Sequence, residues 1–412
     1  MANPVSALTF TTQGALRKSA LRMANDRLVL NCIRENPKLS RIDISRATKL
    51  SPSSVTFIVK RLTKERLVVE ERVAAGAVQA GRPPTLLELT PLARFVVGVS
   101  IGRWRTQTVL ADWTGTVVEK RDLEWNAAPT QMLRQVRESI GDLLSRQPEK
   151  RILGIGVSVA GTWDTNASTV TNAVNLGWHD VAVAPALSQG FHHPFYFDNN
   201  ANLAALGERW FRIGGKQPLN DFVFVTLGSG IGTGIIVGGQ VVQGAHGRAG
   251  EFGHMTLFPD GRKCFCGNFG CWEEYASDRA LIRMVAEKTG VTCDVPMIAA
   301  LAEQGDSSVV QAVREAASYL GLGVANLITG LNPEAIVVDD WASAMWPIVE
   351  PEVWKVVRAR VPEAWWRGVR IERCQHAEDA SLFGAVALAL TRHFHSFDHG
   401  ETVEGRNVVQ FQ

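Results

Sequence analysis

The run Gly250-Glu251-Phe252-Gly253-His254, followed after nine residues by Cys264-Phe265-Cys266-Gly267-Asn268-Phe269-Gly270-Cys271, places one imidazole and three thiols within a short span. Four such donors complete a closed tetrahedral zinc site, with nitrogen from His254 and sulfur from Cys264, Cys266 and Cys271. Gly267 and Gly270 let the chain wrap back so that the third thiol rejoins the first two. Cys32, Cys293 and Cys374 are scattered, so half of the six cysteines fall within eight residues. A disulfide is the competing use of such a cluster, and a reducing compartment disfavours it. The expectation is one structural Zn2+ per chain, with no open position for metal catalysis.

Amides and carboxylates flank this stretch on both sides. Asn175 in Asn175-Leu176-Gly177-Trp178, the pair Asn199 and Asn200, and then Glu251 and Glu273 are the groups that pair with the vicinal hydroxyls of a sugar. Among them lies Gly228-Ser229-Gly230-Ile231-Gly232-Thr233-Gly234. Alternate glycines permit positive φ and close backbone approach, so successive N–H groups could converge on an anion. The same spacing serves a hairpin that uses glycine for its twist. The segment beyond Gly234 reads as a strand, which disfavours a dinucleotide fold. Trp163, Trp178 and Trp272 lie beside these motifs, and core packing is the expected role of most of the 12 tryptophans.

The order of elements repeats. Apolar strands at 95–100, at 106–111 and from 116, with turns at Gly102 and Gly115, lead to a helix near 132–144. Strands at 222–227, 234–237 and 240–243 have the same plan. Strand, turn, strand, turn, strand appearing twice implies a duplicated α/β architecture with a ligand cleft between its lobes.

Of the 412 residues 46% are hydrophobic and 20% charged, which excludes a disordered or collagen-like chain. No apolar run approaches the roughly 18 residues of a membrane span. The first 25 residues lack an apolar signal core, so a cytoplasmic protein with no membrane partner is expected. A net charge of +2 speaks, as an average, against nucleic acid. Residues 1–90, however, hold 15 Lys+Arg against 7 Asp+Glu, and the other 322 hold 28 against 34, so a head of +8 sits on a body of −6. That asymmetry is the composition of a tethered DNA-binding module.

Within the head, Leu28, Leu30 and Ile33 mark a helix from Asp26 stopped by Pro37. Ser40 caps a second helix to Ala47, with Ile44 and Ala47 inward. After the turn Thr48-Lys49-Leu50, Ser51 caps a third, with Pro52 at its first position and Val55, Ile58, Val59 and Leu62 inward. Two helices joined by a tight turn form the helix-turn-helix pattern. The expected DNA contacts are Arg41 and, on the outer face of the third helix, Ser53, Ser54, Thr56, Phe57 and Lys60. Strands at 67–73 and 85–89 would form a wing, where Ala80-Gly81-Arg82-Pro83-Pro84 sends Arg82 into a minor groove.

Together these features resemble the ROK family (repressors, open reading frames and sugar kinases). The likeness is to its helix-turn-helix repressor branch, which includes the xylose repressors and the N-acetylglucosamine and glucose regulators. It runs from about Leu16 to Phe394 and rests on Glu251-Phe252-Gly253-His254 and on the cysteine run continued by Trp272-Glu273. In the head it rests on Ser40-Arg41 and residues 50–62. The resemblance implies an α/β fold class: a winged helix-turn-helix on a two-lobed actin-like, sugar-kinase (ribonuclease H-like) body. It also implies that Asn199, Glu251, His254 and Glu273 contact a sugar while His254 ligates zinc.

The resemblance further locates what kinase chemistry would need. Active members carry Asn-Asp-Ala-Asn, whose Asp takes the proton of a sugar hydroxyl. Aligned on Ala205-Leu206-Gly207-Glu208, this chain reads Asn199-Asn200-Ala201-Asn202, and the Asn200 amide cannot accept that proton. A one-residue slip would bring in Asp198, against the downstream register. The family's first phosphate motif, Asp-x-Gly-Gly-Thr, reads Ser100-Ile101-Gly102-Arg103-Trp104 here, and its Gly-Gly pair after Asn332-Pro333-Glu334 reads Asp339-Asp340. Only the glycine loop 228–234 survives.

The expectation is therefore a sugar-responsive transcriptional repressor with no catalytic residues. It would bind double-stranded operator DNA as a homodimer or homotetramer and a sugar or sugar derivative in its cleft. Its competitors are an active kinase that phosphorylates a hexose or amino sugar from ATP, and a zinc-sensing or scaffold protein whose body docks another protein. The expected domains are the head at 1–90 and a smaller lobe at 91–199 with 377–396. A larger lobe at 200–376 would carry the zinc site and an oligomerisation surface, and 397–412 a mobile tail.

Overall fold

The computed structural model describes residues 18–72, 85–103, 105–145, 151–164, 169–173, 176–211, 218–376 and 379–394. The described residues form two compact units that divide at Pro91, the second spanning Leu92–Thr391 and the first also taking in residues 392–394. No helix among the described residues is long and apolar enough to cross a membrane.

The first unit runs α1 (Lys18–Glu35), β1 (Leu39–Ser40), α2 (Arg41–Thr48), α3 (Pro52–Lys64), β2 (Val68–Arg72) and β3 (Thr85–Leu89). Local chemistry sets the helix starts. The Ser40 side chain accepts from the Asp43 N–H while the Asp43 carboxylate accepts from the Ser40 N–H, a capping box, and Ser51 caps α3 ahead of Pro52. Val55, Ile58, Val59 and Leu62 bury one face of α3 against Ile44 of α2 and Val29, Leu30 and Ile33 of α1. Three expectations change. The first helix starts at Lys18, eight residues early, and Val29 in place of the exposed Leu28 joins Leu30 and Ile33 inward. Ala47 is exposed, so Ile44 alone anchors α2. The two-strand wing gains β1, giving an antiparallel sheet ordered β1-β3-β2. Segment 73–84, with Arg82, lies outside the described residues.

The body opens with β4 (Phe95–Ile101), β5 (Thr106–Asp112), β6 (Val117–Leu123), α4 (Pro129–Ser145) and β7 (Ile152–Val159). A small antiparallel sheet comes next, made of β8 (Thr162–Asp164), β9 (Thr169–Ala173) and β10 (Trp178–Val181), then α5 (Val183–Ser188), β11 (Phe195–Asn199) and α6 (Asn200–Trp210). The second half holds β12 (Phe222–Thr226), β13 (Gly232–Val237), β14 (Gln240–Val241), α7 (Glu273–Ala276), α8 (Asp278–Thr289), α9 (Val295–Glu303) and α10 (Ser307–Leu331). It ends with β15 (Ala335–Val338), α11 (Trp341–Ala344), α12 (Trp346–Arg360), α13 (Glu363–Trp366), β16 (Arg370–Arg373) and α14 (Ala380–Phe394).

The main sheets are ordered β11-β7-β4-β5-β6 and β14-β13-β12-β15-β16. In each, three consecutive strands pair antiparallel, and two later strands add in parallel beside the first. The duplicated architecture read from the strand order is therefore present. The near-continuous apolar runs of β4, β7, β12 and β15 fit strands covered on both faces by helices. Trp178 and Trp272 are fully buried, the former stacked on Trp125, so both serve the core. Helix α14 crosses α6 at Gly384, where an added Cβ would stand 1.7 Å from the Leu203 carbonyl oxygen.

Candidate functional site

The polar centre of the body is built on the turn after β14. His254 Nδ1 lies 3.6 Å from Cys264 Sγ, Cys266 Sγ lies 3.6 Å from Cys271 Sγ, and all four donor atoms fall within 4.8 Å of one another. Three sulfurs and one nitrogen bound tetrahedrally to a single Zn2+ would stand about 3.3–3.8 Å apart, so the separations and the donor set fit a metal ion. A disulfide would need sulfurs at about 2.05 Å. Backbone geometry brings the third thiol back. Gly270 has φ +67°, and an added Cβ there would stand 1.6 Å from the Phe258 carbonyl oxygen. The Leu257 N–H donates to Gly270 and the Trp272 N–H to Met255, closing the loop.

Burial, the hydrogen bond to Glu273 and its negative charge push the Cys264 thiol far up. Burial and Cys266 push Cys271 up to about 11. A bound dication would reverse that preference, since coordinating thiols are deprotonated. A second grouping, Cys264 with Glu273 and Glu274, could also hold a metal ion. Its Glu274 is already paired with Arg279 at 3.3 Å and Arg283 at 3.8 Å, so the His254 set is the better donor cluster.

The two nitrogens of His254 face different groups. Nδ1 stands among Cys264 and the Glu273 carboxylate at 3.6 Å, while Nε2 lies 3.9 Å from Glu251. Glu273 is buried and Glu251 exposed. The glycine loop packs on the same group, because an added Cβ at Gly230 would stand 2.5 Å from Glu273 Oε2. The N-terminus of α6 reaches the loop at Gly234, where an added Cβ would stand 2.2 Å from the Ala201 carbonyl oxygen. Glu251, His254 and Glu273 are thus gathered, with Asn199 capping and Asn200 opening the helix beside their loop. Asn199 also caps α6, accepting from the Ala201 N–H at 2.8 Å and donating from Nδ2 to Gly161 at 2.8 Å. Asn200 opens the helix half-buried. Asn175 lies outside the described residues.

Asp198, the residue a register slip would recruit, is held by the Asn199 N–H at 2.7 Å, Asn202 at 2.9 Å and Gln243 at 3.3 Å. Burial nonetheless pushes its carboxyl up. Neither Asn202 nor Gln243 was among the expected residues: Asn202 reaches Asp198 from the first turn of α6, and Gln243 comes from 45 residues away.

The loop 228–234 differs from expectation in one respect. None of its glycines has positive φ, so it is a β12–β13 hairpin turn whose glycines are needed for clearance against Glu273 and α6. Acidic groups line its start. Asp340 accepts from the Leu227 N–H at 2.5 Å, and Asp278 donates its N–H to Gly228 at 2.9 Å. Burial first, and the charge of Asp340 second, push Asp278 up to about 7 and Asp339 well above the usual carboxylate range. Asp340 itself sits at φ +56° and ψ −136°, a backbone region that glycine favours. Ser100, the first residue of the altered phosphate motif, meets Ser381 at 2.9 Å, and Trp104 lies outside the described residues.

On the first unit, the outward face of α3 carries Ser53, Ser54, Phe57 and Lys60, all exposed, with Thr56 half-buried. These are the residues expected to face a groove. Arg41 is the exception. Its guanidinium is ion-paired with Glu70 of β2, which ties α2 to the wing.

Comparison with known proteins bears on both units. The ROK family model matches residues 96–392, and a winged helix-turn-helix DNA-binding model matches residues 24–69. The xylose repressor of Caldicellulosiruptor bescii is 31% identical over 388 residues, covering 90% of this chain and 96% of its own. Among solved structures, a ROK family transcriptional regulator, a homolog of the Escherichia coli MLC protein, aligns with TM-score 0.77 at 24% identity, over 91% of this chain and 97% of its own. A ROK family glucokinase from Streptomyces griseus, solved with glucose and AMPPNP, aligns with TM-score 0.62 at 29% identity. It covers 71% of this chain and 98% of its own.

Proposed function

The chain belongs to the ROK family, and from that premise we propose that it is a sugar-responsive, DNA-binding transcriptional repressor whose kinase-like body binds its effector without phosphorylating it. One observation carries this reading. The repressor likeness spans head and body together, whereas the glucokinase is matched almost whole yet leaves more than a quarter of this chain without a counterpart. That remainder, about 119 of the 412 residues, is long enough to hold the whole 90-residue head.

In this reading α3 enters the major groove of operator DNA, and the lysines and arginines of the head neutralise phosphates. A homodimer or homotetramer presents two heads to a palindromic operator. The sugar or sugar derivative lies against Asn175, Asn199, Asn200, Glu251, His254 and Glu273. Zn2+ held by His254, Cys264, Cys266 and Cys271 is structural, and fixing Nδ1 orients Nε2 toward the ligand beside Glu251. Effector binding acts on DNA through a cleft whose open and closed states differ in sugar affinity, and that difference caps the switch. The proposed domains are the head and the two lobes expected from the sequence, in a cytoplasmic protein; the expected tail at 397–412 lies outside the described residues.

Absence of phosphoryl transfer is proposed on three features: the Asn200 amide at the start of α6, Ser100 bonded to Ser381, and carboxylates at the start of the glycine loop. The likeness to the glucokinase favours the second reading, an active kinase with an accessory head. Incubating the full chain with ATP, Mg2+ and a panel of hexoses and amino sugars separates the two by ADP release. No turnover is expected. Turnover abolished by Asp198→Asn would make Asp198 the base and refute the receptor reading.

A further inference from the structure

The recognition face of α3 contains a residue unlike its neighbours. Phe57 is 66% exposed, a large aromatic ring in the middle of a face otherwise made of Ser53, Ser54 and Lys60. The ring is held in place, with the Arg61 guanidinium 5.5 Å from its centroid and Arg61 itself ion-paired with Asp26 of α1. The hydroxyls at the start of the helix, though exposed, are engaged with one another. The Ser51 hydroxyl lies 2.9 Å from that of Ser53 and 2.8 Å from that of Ser54, inside the cap. A ring on a groove-facing helix has no polar base edge to satisfy. The one apolar group that B-DNA displays in the major groove is the C5-methyl of thymine.

We propose that Phe57 reads a thymine methyl in the operator half-site, so that the chain discriminates thymine by apolar contact near the middle of α3. The proposal rests on the DNA-binding reading above and adds the base class that the head selects. Lys60, one turn further along the same face, supplies charge to the adjacent phosphates, and the two residues then divide the work between sequence and backbone.

The probe is a duplex recovered from a randomised pool by the full chain, resynthesised with deoxyuridine for thymine one position at a time. The substitution removes the methyl and keeps every Watson–Crick contact. The expected result is a loss of about fourfold in affinity at one position per half-site, the value of one buried methyl. Phe57→Ala should weaken binding to the thymine duplex and abolish the thymine–uracil difference, while Phe57→Leu retains it. Equal binding of all substituted duplexes by the wild-type chain, or a persisting difference in Phe57→Ala, overturns the proposal and leaves DNA binding intact. Recovery of no duplex at all overturns the DNA-binding reading, and this inference with it.

Discussion

Replacing Asp278 with Asn should stabilise the body, and by an amount that depends on pH. The carboxyl lies where α8 begins, its Oδ1 buried without a partner, and burial with the nearby Asp340 charge raises it to about 7. An unfolded aspartate titrates near 3.9, so the shift is about three units, or ~4 kcal/mol at 1.36 kcal/mol per unit. The folded state keeps a proton that the unfolded chain gives up as pH rises from about 4 to about 7. Stability is therefore greatest below that window and is lost across it, fully so above pH 7. Asn has the same shape and no proton to lose. Asp278→Asn should gain ~4 kcal/mol over the wild type at pH 8 and about 1.5 kcal/mol at pH 5, both ceilings because Asp340 shares the site. Urea unfolding monitored by tryptophan fluorescence isolates the body, since all 12 tryptophans lie beyond residue 103. An equal gain at both pH values, or a loss at pH 8, would refute the reasoning.

The geometry sets three further outcomes. Gly270→Ala puts a methyl group into the Phe258 carbonyl at a positive φ, so it should lower both metal content and urea midpoint, at a cost of at least ~2 kcal/mol. Metal removal by a chelator should unfold the body, read by the same fluorescence; clean, reversible DNA release with the fold intact would favour a metal sensor. Ser51→Ala removes the α3 cap and should cost about 1 kcal/mol, seen as faster hydrogen exchange in the first turn of α3.

Local chemistry was legible in the sequence, and tertiary chemistry was not. Ser40, Ser51 and Pro52 mark helix starts through bonds within four residues, so they read correctly from the chain. His254 and the three cysteines are close in sequence, and their meeting needs only a short loop. The repeated strand order became two sheets of identical plan because consecutive antiparallel strands need only tight turns. The reasons behind other residues are supplied by distant partners. Gly230 and Gly234 serve clearance against Glu273 and Ala201, not positive φ. Arg41 meets Glu70 from the wing, β1 exists only by pairing with β3, and Ala47 faces outward because Ile44 alone fills the contact. Asp339 and Asp340 stood out as adjacent acids, but Asp278 comes from a helix far upstream, and only folding sets its charge beside Asp340.

The central claim, that one chain couples a sugar to an operator, is tested most directly by a single titration. Full-length protein is bound to its selected duplex at fixed salt, and operator affinity is measured across a panel of sugars and sugar derivatives. The account predicts that at least one of them shifts the operator affinity at least fivefold, and that Glu251→Gln blunts the shift while leaving sugar-free binding unchanged. Operator affinity unmoved by every member of the panel would contradict it.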